Sequence, residues 1–209
     1  MGFKVNLILL TGLLLPACVP AVHAADAAAG IASYAVCTAC HGRNGEGNVA
    51  MNAPMLAGQA AWYLKSQLEA FKSGQRGTAQ SDTYGMQMRP MATTLANAAA
   101  QDNLIAHIVS LSSRPAIPTI SGDIKAGKLQ YVTCAACHGL RAEGIEQLGG
   151  PRLAGQDDWY LIRQIRNYQT GARGFDPKDT FGAQMGAMAA TLTNDKAVND
   201  VVAYINSLK

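Results

Sequence analysis

The sequence is poor in charged and aromatic residues, and both shortages restrict what the protein can be. Charged residues make up 15% of the 209 residues and the formal net charge is +3, which argues against a basic surface for nucleic acid. Aromatic residues make up only 6%, which is little for two independent hydrophobic cores. If the chain forms two domains, we expect a bulky cofactor to fill part of each.

No long apolar run follows the first 24 residues. Lys4, the apolar run 5–15 and the small residues around Ala24 are typical of an export signal peptide over residues 1–24, and the run is too short to span a membrane. Residues 15–18 also fit a lipoprotein box, in which Cys18 would carry a lipid anchor. Either alternative predicts a periplasmic protein, with possible attachment to the membrane surface.

The rest of the chain is a tandem repeat with an offset of 97 residues. The offset pairs Cys37 with Cys134 and Trp62 with Trp159, and no gap is needed from Gly30 to Ser112. We therefore predict two copies of one domain, at 25–112 and 123–209. The segment 113–122 between them contains two prolines, which favour a short extended connector and closely packed domains.

The apolar periodicity within each copy is helical, so an all-α fold is expected. Apolar residues at spacings of three and four predict a C-terminal helix in each copy, with Asn97 as the N-cap of the first. A second helix is predicted from Trp62 to Lys72 and from Trp159 to Gln169, closed by the glycines that follow. The Gly- and Met-rich segments between these helices are interpreted as loops.

Each copy contains one Cys-x-x-Cys-His motif, at 37–41 and at 134–138. This spacing is the one used for covalent attachment of c-type haem, in which both thiols form thioethers and the histidine binds the iron. A thioredoxin-like redox pair or half of a zinc site would use the same cysteine spacing. Both copies keep the histidine, and no further cysteine pair is present to complete a zinc shell. We therefore predict two haem c groups, bound through Cys37, Cys40, Cys134 and Cys137, with His41 and His138 as proximal ligands.

The second axial ligand of each iron must come from elsewhere in the copy. Histidine is nearly exhausted, because His23 lies in the signal peptide and His107 aligns with Tyr204. Two methionine pairs recur at the 97-residue offset, namely Met88 with Met185 and Met91 with Met188. A neutral thioether sulfur would stabilise ferrous iron. Internal symmetry leaves both pairs open.

The doubled motif, the strings at 54–59 and 151–156, the Tyr-x-x-x-Gln helices and the Met-x-x-Met segments resemble the two-haem cytochrome c4 family. The resemblance covers essentially the whole chain after residue 24. It implies two class I cytochrome c domains, each wrapped around its haem, that act together as a periplasmic electron carrier. It also implies Met88 and Met185 as the distal ligands, and the carbonyl groups of Pro54 and Pro151 as hydrogen-bond partners of the proximal imidazoles.

Several polar and aromatic residues recur at equivalent positions without a role in the motifs. These pairs are Gln67 and Gln164, Trp62 and Trp159, and Arg76 and Arg173. They fit helix packing or solvated loops, or alternatively contacts to haem propionates, because a buried carboxylate needs a partner. His107 is expected on the surface or between the domains.

The leading hypothesis for function is an electron-transfer protein that is not an enzyme and has no small-molecule substrate. Its partners would be redox proteins, namely a respiratory donor and a terminal oxidase or reductase. The alternative is a haem-bearing subunit of a flavoprotein or quinoprotein dehydrogenase complex. A two-haem peroxidase would need an open iron position, which paired methionines argue against.

Overall fold

The computed structural model describes residues 1–2 and 24–208. Residues 3–23, which make up most of the predicted export signal and include Cys18, lie outside the described residues. The described chain is helical and contains no β-strand, only two isolated bridges. Its helices are α1 (Ala27–Tyr34), α2 (Thr38–His41), α3 (Ala61–Ser73), α4 (Thr83–Thr93), α5 (Ala98–Ser110), α6 (Ile124–His138), α7 (Asp158–Gln169), α8 (Thr180–Ala189) and α9 (Asp195–Ser207), with a short 3-10 turn at Glu146–Leu148. The predicted all-α fold is confirmed.

The first and last helices of each half pack closely on one another, α1 on α5 and α6 on α9. Glycine makes these crossings possible. A Cβ at Gly30 would overlap the backbone carbonyl of Asn103, and one at Gly127 would overlap that of Asp200. The two halves therefore share one local architecture, as the repeat predicted.

The predicted apolar stripes face the interior of each half. Leu104, Ile105 and Ile108 on α5 are buried, and so are the stripe residues of α9 from Val198 to Ile205. Asn97 caps α5 through a hydrogen bond from the amide of Ala100 to its side chain at 2.9 Å, as predicted. The burial of one face explains why these helices form, since tertiary packing supplies most helical stability.

Helices α3 and α7 lie within one residue of their predicted bounds. Gly74 ends α3 in the left-handed conformation, with φ at 82°, which glycine adopts without a Cβ penalty. Thr170 is the C-cap of α7, and Gly171, which follows it, has φ at 69°. The glycine signals thus marked the ends of both helices.

The Gly- and Met-rich segments are not loops, and that interpretation was wrong. They form α4 and α8, each of which begins at an aspartate that caps the helix. Asp82 accepts from the amide of Gly85 at 3.0 Å, and Asp179 accepts from that of Gly182 at 2.8 Å. The glycines and Pro90 lower helix propensity, but capping and burial of one face outweigh that effect.

The connector 113–122 contains no helix, and the two halves contact each other directly. Gln59 donates to the carbonyl of Arg152 at 3.1 Å, and Gln156 donates to the carbonyl of Met55 at 2.9 Å. The two contacts are equivalent under the repeat, because Gln59 corresponds to Gln156 and Met55 corresponds to Arg152. Among residues 24–208, no helix has the length and apolar character needed to cross a membrane.

Candidate haem-binding sites

The four motif thiols lie in helical segments that hold each pair on one side of the backbone. Cys37 immediately precedes α2, and its carbonyl accepts from the amide of His41 at 2.9 Å. Cys134 and Cys137 lie in the last turns of α6. All four are half-buried free thiols, and burial raises the pKa of Cys37 and Cys134. Residues three apart on a helix are neighbours, so one cofactor edge can meet both thiols of a pair.

Each motif histidine is buried and held by one hydrogen bond. The Nδ1 atom of His41 lies 2.8 Å from the carbonyl oxygen of Pro54, and that of His138 lies 2.8 Å from the carbonyl oxygen of Pro151. A carbonyl can only accept, so Nδ1 donates and Nε2 keeps its lone pair. Burial lowers the pKa of both histidines, which favours the neutral imidazole that a metal requires. The contacts expected for the two prolines are present.

The two methionine pairs occupy different environments. Met88 on α4 is half-buried and packs against the core of the first half, which Cys37 also contacts. Met185 on α8 packs in the same way against the core of the second half, which Cys134 also contacts. By contrast, Met91 and Met188 are 36% and 42% exposed. Of each pair, the first methionine is therefore the one that packs against the core.

Two buried arginines meet at the centre of the contact between the halves. Arg76 and Arg173 are 7% and 5% exposed. The Oε1 atom of Gln67 accepts from Arg76 at 2.7 Å and from Arg173 at 2.8 Å. The Oε1 atom of Gln164 accepts from each arginine at 3.0 Å. These glutamines and arginines, which we call the arginine cluster, belong to neither half alone.

Tyrosines complete the arginine cluster. Arg76 donates to the hydroxyl of Tyr160 at 3.3 Å, and Arg173 donates to that of Tyr63 at 2.8 Å, each across the interface. Burial raises the pKa of Tyr160, but the charges of the two guanidinium groups outweigh burial and hold it below its ordinary value. This direction follows from the two buried positive charges next to the hydroxyl group.

Within residues 24–208, the two arginines of the cluster have no ion pair with a carboxylate, although the buried carboxylate of Asp82 is close enough to affect the pKa of Tyr160. In the same part of the chain, the Nε atom of Arg76 is buried without a partner. Two neighbouring buried cations repel each other and favour a nearby anion. The cluster therefore fits the carboxylates of two haem groups.

His107 is partly exposed, and its ring packs on Tyr34 within the first half at a centroid distance of 5.1 Å. Gln67 and Gln164 lie on α3 and α7 rather than in solvated loops, and they join the two arginines. Sequence reasoning assigned no role to Tyr63 and Tyr160, the tyrosines of the Tyr-x-x-x-Gln helices, although both recur at the 97-residue offset.

The structure thus contains the same set of groups in each half: two half-buried thiols, a buried histidine whose Nε2 is free, and a half-buried methionine that packs against the hydrophobic core. Thiol pairs fit thioether bonds, and imidazole with thioether sulfur fits the two axial positions of a haem iron. The fold and the sites define a protein of two c-type cytochrome domains.

Comparison with known proteins agrees with this class. A family model for cytochrome c matches residues 27–112 and 124–209. The chain is 33% identical over 197 residues to cytochrome c4 of Azotobacter vinelandii, covering 89% of this chain and 91% of that protein. It is 35% identical over 158 residues to the thiosulfate dehydrogenase electron acceptor of Thiomonas intermedia, covering 68% and 67%.

The fold is similar to the crystal structure of reduced recombinant cytochrome c4 from Pseudomonas stutzeri. The TM-score is 0.71 at 28% identity, covering 89% of this chain and 100% of that one. The chain belongs to the cytochrome c4 family of the cytochrome c proteins. It carries two covalently bound haem c groups and is a two-haem electron-transfer protein.

Proposed function

We propose that this protein is a periplasmic one-electron carrier with histidine and methionine as axial ligands in both domains, 25–112 and 123–209. The proposed thioether residues are Cys37, Cys40, Cys134 and Cys137, and the proposed axial ligands are His41 with Met88 and His138 with Met185. The bound haem supplies the ferric and ferrous couple. The chain's own side chains orient it, exclude water and set its potential.

One observation carries this proposal: in both domains a buried histidine keeps only Nε2 free, and a half-buried methionine packs against the hydrophobic core. The Pro54 and Pro151 carbonyls fix the imidazole rings and increase their basicity, as such outer partners do in general. The methionine sulfur favours the ferrous state and raises the potential. Because both domains contain the same set, each can hold one electron.

The arginine cluster is the proposed partner of the haem carboxylates. Arg76 and Arg173 would each donate to a carboxylate, because they are buried cations without an ion pair among residues 24–208. A charge-assisted hydrogen bond of this kind is about twice as strong as a neutral one. The buried carboxylates would then keep their charge, and the cluster would couple the two cofactors electrostatically.

The predicted export signal at 1–24 supports a periplasmic location. In this compartment the carrier would receive electrons from a respiratory donor and pass them to a terminal oxidase or reductase. A lipid on Cys18 would keep it at the membrane surface, and the intact mass of the mature protein tests that alternative directly.

A dehydrogenase partner is the second candidate function. The similarity to a thiosulfate dehydrogenase electron acceptor favours it. The test mixes the oxidised holoprotein with a purified thiosulfate dehydrogenase and thiosulfate. Reduction within the enzyme's turnover time would support this role, and reduction no faster than without the enzyme would exclude it for that partner.

Replacement of single methionines tests the axial ligands. Met88→Ala should abolish half of the weak sulfur-to-iron absorption band. It should also lower one midpoint potential, because water or another base that replaces the thioether stabilises ferrous iron less than the methionine sulfur does. Met91→Ala is the matched control, three residues away on the same helix and exposed. It should leave the band intact. Met185→Ala and Met188→Ala repeat the comparison in the second domain.

Two results would contradict the assignment. Loss of the band in Met91→Ala, with the band retained in Met88→Ala, would move the ligand by one helical turn. A band unchanged in all four variants would exclude methionine ligation.

A further inference from the structure

A single side chain of the second domain contacts two separate parts of the first domain. Arg163 on α7 donates through Nη1 to the backbone carbonyl of Asn52 at 3.3 Å and through Nη2 to the side-chain oxygen of Asn52. Its guanidinium group also lies over the ring of Tyr84, 4.3 Å from the centroid. Trp159, one turn earlier on α7, supports the guanidinium from its own helix at 5.1 Å.

The two contacted residues lie in the two segments that carry groups of the proposed first haem site. Asn52 lies two residues before Pro54, whose carbonyl holds the imidazole of His41. Tyr84 lies on α4, four residues before Met88, and residues four apart share one face of a helix. Arg163 therefore joins the loop on the histidine side to the helix that carries the methionine.

A second contact from α7 reaches the beginning of the same helix. Asn167, one turn after Arg163, donates from Nδ2 to the Oδ1 atom of Asp82 at 3.3 Å. Asp82 is the N-cap of α4 and is 4% exposed. The first turn of α4 is thus held from the second domain at two points.

The second domain has no equivalent of this arrangement. The repeat places Ser66 and Ala70 at the positions of Arg163 and Asn167, and neither side chain can span the interface. Instead, the ring of Phe181, which corresponds to Tyr84, lies directly against Gly149, where a Cβ would overlap it. In the second domain, helix α8 is therefore joined to the segment before Pro151 by residues of that same domain.

The backbone explains why the two closures differ. Asn52 and Gly149 are equivalent, and both have a left-handed φ, of 56° and 65°. Asparagine tolerates this conformation better than most residues. At position 52 it provides an oxygen for Arg163, whereas glycine at position 149 leaves room for the aromatic ring.

We propose, on the basis that Met88 is an axial ligand, that Arg163 is a positioning residue for the first haem site. It acts across the domain interface and keeps α4 closed against the proximal loop, so that retention of Met88 at the first iron depends on the second domain. Retention of Met185 at the second iron depends on Phe181 within its own domain.

The test measures how fast imidazole displaces methionine from the ferric holoprotein, followed by loss of the sulfur-to-iron band. A Met185→Ala background leaves only the first-domain band, and a Met88→Ala background leaves only the second. Arg163→Ala should speed displacement about tenfold in the first domain and leave the second unchanged, since it removes hydrogen bonds from a charged group and a cation–π contact. Phe181→Ala should show the reverse pattern.

Further variants separate positioning from general damage to the fold. Tyr84→Ala removes only the aromatic partner and should speed displacement in the first domain, whereas Tyr84→Phe keeps the ring and should not. Arg163→Lys keeps the charge but loses the planar fork, so its rate should lie between those of the parent and Arg163→Ala. Circular dichroism of each holoprotein checks that the helices persist.

An unchanged rate in both Arg163→Ala and Tyr84→Ala would overturn the proposal. Equal acceleration at both haem sites in Arg163→Ala would also overturn it, since the arginine would then support the interface alone. A failure of the methionine assignment itself has a different outcome. In that case Met88→Ala, with Arg163 intact, would already fail to remove half of the band.

Discussion

The interface between the two domains contains symmetric and asymmetric contacts, and they serve different parts of the molecule. The symmetric contacts join residues that recur at the 97-residue offset, as in the arginine cluster, where each arginine contacts both glutamines. These contacts lie where both cofactors need the same polar environment. A duplicated domain pairs with itself in this way without any further change in sequence.

The asymmetric contacts come from residues in which the second copy has departed from the first. Asp157 and Asp158 replace Ala60 and Ala61 at the start of α7. Asp157 forms an ion pair with Arg114 at 2.8 Å, and the Nε atom of Arg114 donates to the carbonyl of Glu46 in the first domain. The comparison teaches that repeated residues supply the proposed ligands and the arginine cluster, whereas residues particular to one copy hold the connector and join the second domain to the first haem site.

The largest expected effect is on haem content, and it should follow removal of both thiols from one motif. Cys37→Ala with Cys40→Ala should reduce the haem content from two to one per chain, and Cys134→Ala with Cys137→Ala should do the same. The intact mass and a haem-stained denaturing gel measure the content. An unchanged haem content would refute the attachment sites, and loss of both groups from one double variant would show that the domains do not mature independently.

Loss of the buried carboxylate at position 158 should have the next largest effect. Asp158 is fully buried and accepts from the amide of Thr119 at 2.5 Å, from its hydroxyl at 2.7 Å and from the amide of Ile120 at 3.1 Å. Asp158→Ala leaves these connector donors without an acceptor and should lower the free energy of unfolding by about 3 kcal/mol. Denaturant unfolding of the holoprotein measures this loss.

The equivalent position in the first domain supplies the control. Ala61 is exposed and has no carboxylate that could accept from the connector, so Ala61→Gly should cost no more than about 1 kcal/mol, the difference in helix propensity. Equal losses in the two variants would show that the connector contributes nothing to stability.

Replacement of either arginine in the cluster should change both potentials by similar amounts. Arg76→Gln removes a buried positive charge and should lower the midpoint potentials of both haem groups. The expected shift is about tenfold in the equilibrium, which is about 59 mV for one electron. Arg173→Gln should match it, because each arginine contacts Gln67 and Gln164.

Lys65→Gln removes an exposed charge from the first domain and is the control, because salt screens exposed charges. Redox titration of the three variants makes the comparison. A shift confined to one haem in Arg76→Gln, and to the other in Arg173→Gln, would show that the cluster does not couple the sites.

The smallest effect should come from two equivalent tyrosines. The hydroxyl of Tyr34 donates to the carbonyl of Gly42, and that of Tyr131 donates to the carbonyl of Gly139, both at 2.8 Å. Burial raises the pKa of Tyr34 to about 12, so the hydroxyl remains a neutral donor at physiological pH. Tyr34→Phe and Tyr131→Phe should each cost about 1 kcal/mol in thermal or denaturant unfolding. Markedly unequal losses of unfolding free energy in the two variants would show that equivalent hydrogen bonds do not stabilise the two cores equally.

Sequence periodicity predicted the helices with a single apolar face and clear ends. Asn97 and Gly74 marked boundaries that the structure confirms, because capping and left-handed backbone are local properties. The periodicity failed for α4 and α8, whose glycines suggested loops. It also did not predict α1, which packs through Gly30 in a contact that no local pattern reveals.

The sequence by itself determined the repeat, the two haem motifs and the helical class, because these depend on spacing along the chain. It left the methionine pairs equal and the arginines without an assigned role. Tertiary structure separated Met88 from Met91 by burial and brought Arg76 next to Arg173 from the other copy. It also placed Arg163 between Asn52 and Tyr84. Such contacts depend on how two folded domains meet, and residues 88 or 111 positions apart carry no local signal of that meeting.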